Sequence, residues 1–259
     1  MPGPRGELIV QSFGAGVQSV ALAVLNATGR VQPRADLAVF ADPGSEEQET
    51  YRLLPVYEAW LAEQRYPLIT VRSQRGRLRD YVWHRSTVIP AYAASSGAPG
   101  RRQCTVDWKI MPIRRYARLL GAKVLTVQLG ISFDEWHRMR DSGARWVTNC
   151  YPLVDMQLSR EDCRRIIREV GLPEPPKSHC VFCPYQSLAS WQRRAIECPD
   201  EFEQCAQLED RINERQRERG RTALYLSRTL RPLRQVCSGD QLTLDQVLLD
   251  ECEGGYCFV

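Results

Sequence analysis

The sequence predicts an α/β fold, a parallel sheet with helices on both faces, followed by a mostly helical, cysteine-bearing C-terminal region. Three observations carry this. Short apolar runs alternate with helix-length amphipathic segments as far as residue 171, the pattern of strands joined by crossover helices. A Ser/Gly loop joins the first run to the first helix. Beyond a proline-rich connector at 172–177 the strand pattern gives way to long helical segments. The expected organisation is an α/β domain over 1–171 and a second region over 172–259 that packs on its site. At 259 residues and 43% hydrophobic content, the chain can bury a real core in one such domain with an appendage.

Taken in order, Leu8, Ile9 and Val10 read as a buried strand. The loop Ser12-Phe13-Gly14-Ala15-Gly16-Val17-Gln18-Ser19 follows, and VALAVL continues as a packed helix. Glycines let backbone N–H groups approach an anion, and a first helical turn has unpaired donors at the positive end of its dipole. Ser12 and Ser19 add hydroxyls. The stretch is a candidate phosphate site, with a tight ligand-free βα turn as the plain alternative.

Residues 35–41 form a second strand ending at Asp42-Pro43-Gly44-Ser45-Glu46. Ligands in such folds sit beyond the carboxyl ends of the strands, where Ser12 and Asp42 both fall. Asp42 and Glu46 are candidates for contacting ribose, adenine or a metal; the plain alternative is an acidic start to the next helix. That helix covers 46–63, with Leu53, Leu54, Tyr57, Trp60 and Leu61 on its apolar face, and 68–71 is a third strand. The segment AYAASSGAPGRR, from Ala91 on, is expected to be a mobile loop near the site.

Pro112 suits the first turn of a helix reaching Leu120, with Gly121 ending it. Arg101, Arg102, Lys109, Arg114 and Arg115 make this the most basic local stretch, and an anion-facing role is expected. Residues 124–129 are a further strand, followed by Gly130-Ile131-Ser132 and a helical turn with Glu135, His137 and Arg138. Residues 150–155 read as extended, and Ser159 with Asp162 caps a helix to Val170. A long helical region spans 188–219, and its charged tail EDRINERQRERGR reads as a solvated helix laced with ion pairs.

The net charge is +4, from 35 basic and 31 acidic residues, which suits an anionic small ligand or a nucleic acid and decides neither. No apolar run reaches the length of a membrane span, and MPGPRGE lacks the apolar segment of a signal peptide. A cytoplasmic protein with no membrane partner is expected. Ten cysteines in such a chain point to metal, cluster or redox chemistry for some of them. Cys180 and Cys183 form a C-x-x-C pair, whose spacing serves one metal, one cluster or a redox disulfide. Cys104 lies upstream in the basic stretch, and Cys252 or Cys257 is at hand as a fourth ligand. Cys150, Cys163, Cys198, Cys205 and Cys237 lack paired spacing and read as small buried hydrophobes.

These stretches resemble a known group. The loop is similar to the phosphate loop of the PP-loop (adenine nucleotide α-hydrolase-like, Rossmann-like) superfamily, with one extra residue and Gln18 where an aspartate usually stands. The chain looks like the phosphoadenylyl-sulfate and adenylyl-sulfate reductase family within it, closest to an uncharacterised bacterial and phage branch. VFADPGSEEQET resembles that family's D-T-G…E-T segment through Asp42, Gly44, Glu49 and Thr50. In CTVDWKIMPIRR, Cys104, Lys109 and Pro112 fall at the spacing of the cluster-bearing C-C-x-x-R-K-x-x-P, with Thr105 in place of the second cysteine. Cys180 and Cys183 match the later C-x-x-C, and Glu251-Cys252 resembles the E-C-G nucleophile segment. Gly130 and Arg138 match a glycine-led segment with a downstream arginine.

The resemblance implies ATP or another adenine nucleotide bound by Ser12, Gly14, Gly16, Gln18, Ser19, Asp42, Gly44 and Gly130. It implies a 4Fe-4S cluster, or alternatively zinc, on Cys104, Cys180, Cys183 and Cys257, while Gln18 leaves magnesium open. Lys109 and Arg138 would neutralise charge, and Cys252 would be a nucleophile. The implied function is sulfur transfer to a nucleic acid or small acceptor, assisted by a protein electron or sulfur donor. Two alternatives stand: an adenylyl-sulfate or phosphoadenylyl-sulfate reductase, and a non-catalytic nucleotide-binding module with a structural metal in a modification or defence complex. A homodimer is expected by the same resemblance.

Overall fold

The computed structural model describes residues 6–85 and 87–236. In chain order the elements are β1 (Glu7–Phe13), α1 (Val17–Ala27), β2 (Leu37–Asp42), α2 (Gln48–Glu63), β3 (Leu68–Arg72), α3 (Leu78–His84) and β4 (Tyr92–Ala93). A short α4 (Gln103–Thr105) runs into a π-helical turn (Val106–Ile110) and then α5 (Met111–Leu119). After β5 (Val124–Leu129) come a 3-10 segment (Phe133–Arg138), β6 (Val147–Cys150), α6 (Pro152–Asp155) and α7 (Arg160–Glu169). The described chain closes with α8 (Leu188–Glu197), α9 (Pro199–Glu218), β7 (Leu224–Tyr225) and α10 (Leu233–Val236). Contacts divide these residues into two compact units. The first holds residues 6–74 together with Asp107–His179; the second holds Arg75–Val106 together with residues 180–236.

The first unit is built on a five-stranded parallel sheet of order β3-β2-β1-β5-β6. β1 is central, with Val10 opposite Leu37 on one side and opposite Val127 on the other. A strand flanked on both edges and covered on both faces is mostly apolar, which is why the run Leu8–Val10 is legible; the buried Gln11 and Ser12 that follow it are polar exceptions. Leu8 and Val10 pack with Leu37, Val39, Ile113 and Ala117 on the α5 face. Phe13, Ala38 and Phe40 pack with α1, α2 and α7 on the other. Phe40 is 1% exposed, and full burial of such a side chain is worth roughly 1.5–3 kcal/mol. The chain steps outward from β1 to β3 and then crosses to β5, so the strand order reverses between β1 and β5. That switch point is where the connecting loops part.

The second unit is organised on α9. Glu209, 2% exposed, accepts from the Leu226 amide at 2.7 Å and the Leu233 amide at 2.9 Å, which fastens the following segment to the helix. Arg215 donates to the carbonyls of Val82 and Trp83, in the last turn of α3, whose backbone acceptors have no helical partner. Asn213 both donates to and accepts from the Leu224 backbone at 2.8 Å. β4 and β7 pair antiparallel, Tyr92 opposite Tyr225.

Several expectations are corrected. The segment expected to be a mobile loop is held by backbone bonds, Gly97 N–H to Ala93, Gly100 N–H to Ala91 and Ala94 N–H to Ala223. Residues 150–155 are not extended throughout, because Pro152 starts the short helix α6. The 188–219 region splits at Cys198, whose φ of −137° and ψ of 63° break the helix before Pro199 opens α9. The charged tail is not wholly solvated, since Glu209 and Arg215 point inward to backbone partners. Cys198 is exposed rather than buried. Among the described residues no helix is long and apolar enough to cross a membrane.

Burial pushes the Glu209 carboxyl up to about 7, outweighing the two amides that favour its charge. Between pH 4.5 and 7 the folded chain therefore keeps a proton that the unfolded chain has lost, so stability falls as pH rises through that window. Denaturant titrations from pH 4 to 8 should show this fall, at most about 3 kcal/mol from this group. Glu209→Gln should flatten it, while lowering stability at every pH because an amide nitrogen cannot accept from one of the two backbone donors.

Candidate functional site

The loop after β1 is shaped by its own backbone. Ala15 adopts a left-handed conformation, φ 56°, and is buried, a costly arrangement for a side chain with a Cβ. Gly16 then turns extended as the residue before α1. The Ser19 hydroxyl accepts from Gly16 N–H at 3.1 Å and donates to the Gly16 carbonyl at 3.0 Å, so Ser19 is spent on capping the loop. The first helical bond runs from Val20 N–H to Gly16 at 2.9 Å, which leaves the amides of residues 17–19 outside the helical ladder. Gly130, just past β5, presses on this turn from the neighbouring strand. A Cβ there would lie 2.9 Å from the Ser19 nitrogen and 3.0 Å from the Gln18 carbonyl carbon, so only glycine fits. Gln18 donates weakly to the Ser132 hydroxyl at 3.5 Å.

Below the loop lies a buried amide network. Gln11 donates to the Ser19 carbonyl at 2.7 Å and accepts from the Tyr66 phenol at 3.0 Å. Asn26 donates to Gln128 at 2.7 Å, and Gln128 donates to the Pro33 carbonyl at 2.8 Å. β1, β5 and α1 are thereby pinned together under the turn that carries the open amides.

At the end of β2, Asp42 is a full acceptor. It takes the Gly44 amide at 2.7 Å, the Tyr51 phenol at 2.7 Å and the Arg72 guanidinium at 2.9 Å. Burial, then the bond to Asp42, holds the Tyr51 phenol far above its usual range. Gly44 is left-handed, φ 68°, as that Asx-type turn needs. Glu46, whose side chain is 1% exposed, pairs with Lys109 at 3.1 Å. Lys109 comes from the π-helical turn before α5, an irregularity that often marks functional positions. Ser178 joins these features: its Cβ lies 3.5 Å from where a Gly16 side chain would begin, and its hydroxyl reaches Glu46 at 3.4 Å. Next to it, His179 is buried with Nδ1 3.4 Å from the Glu47 carboxylate but not hydrogen-bonded to it. Arg138 is buried and paired with Glu135 of its own 3-10 segment.

Of the residues singled out in the sequence, Ser12, Gly14, Gly16, Gln18, Ser19, Asp42, Gly44, Gly130, Lys109 and Arg138 all belong to the first unit, and Cys104, Cys180 and Cys183 to the second. Cys252 and Cys257 lie outside the described residues. Ser178, His179 and Tyr51 were missed. The only sequence signal for the first two is their position directly before Cys180.

In the second unit the C-x-x-C turn is closed by Cys183 N–H to the Cys180 carbonyl at 2.9 Å. The Gln186 amide donates to the Val181 carbonyl at 2.8 Å and the Cys183 carbonyl at 3.2 Å. Gln186 is held in turn by Arg194 at 3.1 Å, and Arg194 by Glu201 at 2.8 Å. The Cys104 segment adjoins this turn, because Arg102 stacks over the Tyr185 ring with its guanidinium carbon 5.2 Å from the centroid. A single metal ion requires donors converging to within about 2.0–2.3 Å of one point. Among the described residues no three His, Cys, Asp or Glu side chains gather in that way. A four-iron cluster takes one thiolate at each iron, so its sulfurs need not converge on one point as the ligands of a single ion must. Three of the cysteines without paired spacing are chemically quiet: burial pushes the thiols of Cys163 and Cys205 up to about 12 and that of Cys150 up to about 11; Cys198 is exposed, and Cys237 lies outside the described residues.

No family model matches the chain, and no curated protein matches it. Among solved structures it is similar to the U34-tRNA thiolase NcsA from Methanococcus maripaludis with its 4Fe-4S cluster. The identity is 15%, the match covers 77% of this chain and 68% of that chain, and the TM-score is 0.43. A likeness of that size assigns no residue and no activity to this chain.

Gly130→Ala should cost about 1–3 kcal/mol by forcing β5 and the first turn of α1 apart. Gly16→Ala, whose Cβ would meet Ser178 at an ordinary 3.5 Å, should cost less. Denaturation midpoints of the two variants check the order.

Proposed function

We propose that this protein is a PP-loop enzyme that binds an adenine nucleotide between β1 and α1 and uses it in sulfur transfer to a nucleic acid or small acceptor. The observation that carries the reading is the open first turn of α1, set at the switch point of a parallel sheet and roofed by Ser178. The amides of residues 17–19 would hold a phosphate group. Lys109 would share its charge between Glu46 and that phosphate, so the phosphate enters a site already neutralised rather than one bearing an unpaired carboxylate. Asp42, fully bonded, keeps the β2 end and α2 in place.

Cys104, Cys180 and Cys183 would hold a 4Fe-4S cluster, with Cys257 as fourth ligand or an open iron in its stead. When bound, the cluster would supply an iron position able to carry sulfide. The chain's own part is to fix the C-x-x-C turn through Gln186 and Arg194, and to lay Arg102 on Tyr185 so that the Cys104 segment stays beside it.

Anaerobic purification tests the cluster. A brown protein with about four iron and four sulfide per chain is expected. Cys104→Ser, Cys180→Ser and Cys183→Ser should each remove the absorbance, whereas Cys163→Ser should leave it. Incubation with ATP, an acceptor and a sulfide source should yield pyrophosphate as the acceptor is adenylated and AMP as sulfide displaces it; sulfite formed when adenylyl sulfate and a thiol reductant are supplied instead would point to a reductase, and a colourless protein with one zinc to a binding module.

Lys109→Met should weaken nucleotide binding about tenfold and also destabilise the chain, because it strands the buried Glu46 carboxylate. The double variant Lys109→Met with Glu46→Gln should recover stability without recovering affinity. Calorimetric titration beside thermal melts separates the two effects.

A further inference from the structure

The 3-10 segment Phe133–Arg138 is unusual in what it turns outward. The segment is kinked at Glu135, φ −111° and ψ 17°, and burial sorts its side chains into an inner and an outer row. Ser132, Glu135 and Arg138 make its inner row, with Glu135 and Arg138 paired to one another and Ser132 reached by Gln18. The outer row is Phe133, Trp136 and, just past the end, Met139, exposed by 45%, 60% and 37%. The Glu135–Arg138 pair thus lies inside and the apolar row outside, where it shares the surface with the exposed Asp134 and His137. The segment begins three residues beyond Gly130 and so at the rim of the α1 loop.

The loop that continues from this row, with the helix it is tied to, carries arginines without carboxylate partners. Arg140 follows Met139 directly. Arg145 is exposed in the next loop, and that loop is tied to α5 twice: Arg114 donates to the Ser142 carbonyl at 2.7 Å, and the Arg118 guanidinium lies 3.7 Å from the Trp146 ring centroid. Arg115 is exposed on the same helix. Among the described residues none of these five forms an ion pair. The arginines of α7 behave differently, Arg164, Arg165 and Arg168 all pairing with acids. Two acids stand nearby: Asp134, which accepts from the Arg160 amide at 3.1 Å, and the exposed Asp141.

A polyanion whose monomers carry flat apolar faces fits this surface. Phosphates would meet the uncompensated arginines while bases stack on Trp136 and Phe133. We infer that the 133–146 segment with the basic face of α5 binds single-stranded nucleic acid. This deepens the reading above, resting on it for the strand's role as sulfur acceptor, but strand binding itself needs neither nucleotide nor cluster.

The test is fluorescence anisotropy of the full chain with a labelled single strand of roughly 12 nucleotides, as RNA and as DNA, across a salt series. Trp136→Ala should weaken binding about tenfold with the salt slope unchanged. Arg140→Ala with Arg145→Ala should lower the log–log salt slope by about 1.4. Arg165→Ala, on ion-paired α7, should change neither. Melting curves confirm that the exposed substitutions leave the fold intact. Binding that is absent at low salt, or indifferent to these variants, overturns the inference; so does a Trp136→Ala chain that merely shifts from dimer to monomer in sedimentation, since the row then belongs to a second copy. A chain that binds strand normally but carries no cluster and forms no AMP sinks the sulfur-transfer reading and leaves this interface standing.

Discussion

The first unit depends on the contact between the Gly130 backbone and the first turn of α1. Because the approach leaves no room for a Cβ, it fixes how deeply α1 sits against the sheet and therefore where its open amides point. Two neighbouring strands must agree on that depth. β5 supplies the pressure from one side, and β1 supplies the restraint from below through Gln11 and the Ser19 carbonyl. A phosphate site made of backbone amides is only as well placed as the helix that carries it, so positioning is done by packing rather than by the polar groups of the loop.

Around this frame the charges are arranged in closed sets. Asp42 is bonded to Gly44, Tyr51 and Arg72, Glu46 to Lys109 and Ser178, and Glu135 is paired with Arg138 and Arg160. Each set ties a loop to an element end, so the acids that look like ligand contacts in the sequence also hold the site's walls. The C-x-x-C turn has the same logic in uncharged form, its carbonyls gathered by one glutamine that an arginine steadies in turn. Among the described residues Arg114, Arg115, Arg118, Arg140 and Arg145 stand outside such sets.

How much of this could be read beforehand follows from the range of each interaction. The parallel sheet was legible because β1 and β2 carry continuous apolar runs, and the α7 start because Ser159 and Asp162 satisfy one another within three residues. The Ser/Gly loop was legible as a loop, whereas its tight neighbour Gly130 could be named only by resemblance, since the clash that requires glycine is between strands distant in sequence. The break at Cys198 escaped because a proline opening a new helix looks like one tolerated near the start of an old one. Glu209 and Arg215 escaped because a run of charges does not reveal which member meets an orphan backbone group. Ser178 and His179 escaped for a related reason: their partners, Glu46 and Glu47, lie more than a hundred residues away.

The floor beneath the α1 loop is made of carboxamides and one phenol, Gln11, Asn26, Gln128 and Tyr66, and burial drives that phenol further from ionisation. None of these groups gains or loses a proton anywhere near neutrality. Mild acid or alkali therefore alters the occupants' side of the loop and the Glu209 anchor in the other unit while leaving the foundation electrically silent. The scaffold can host changes of protonation during a reaction without itself shifting.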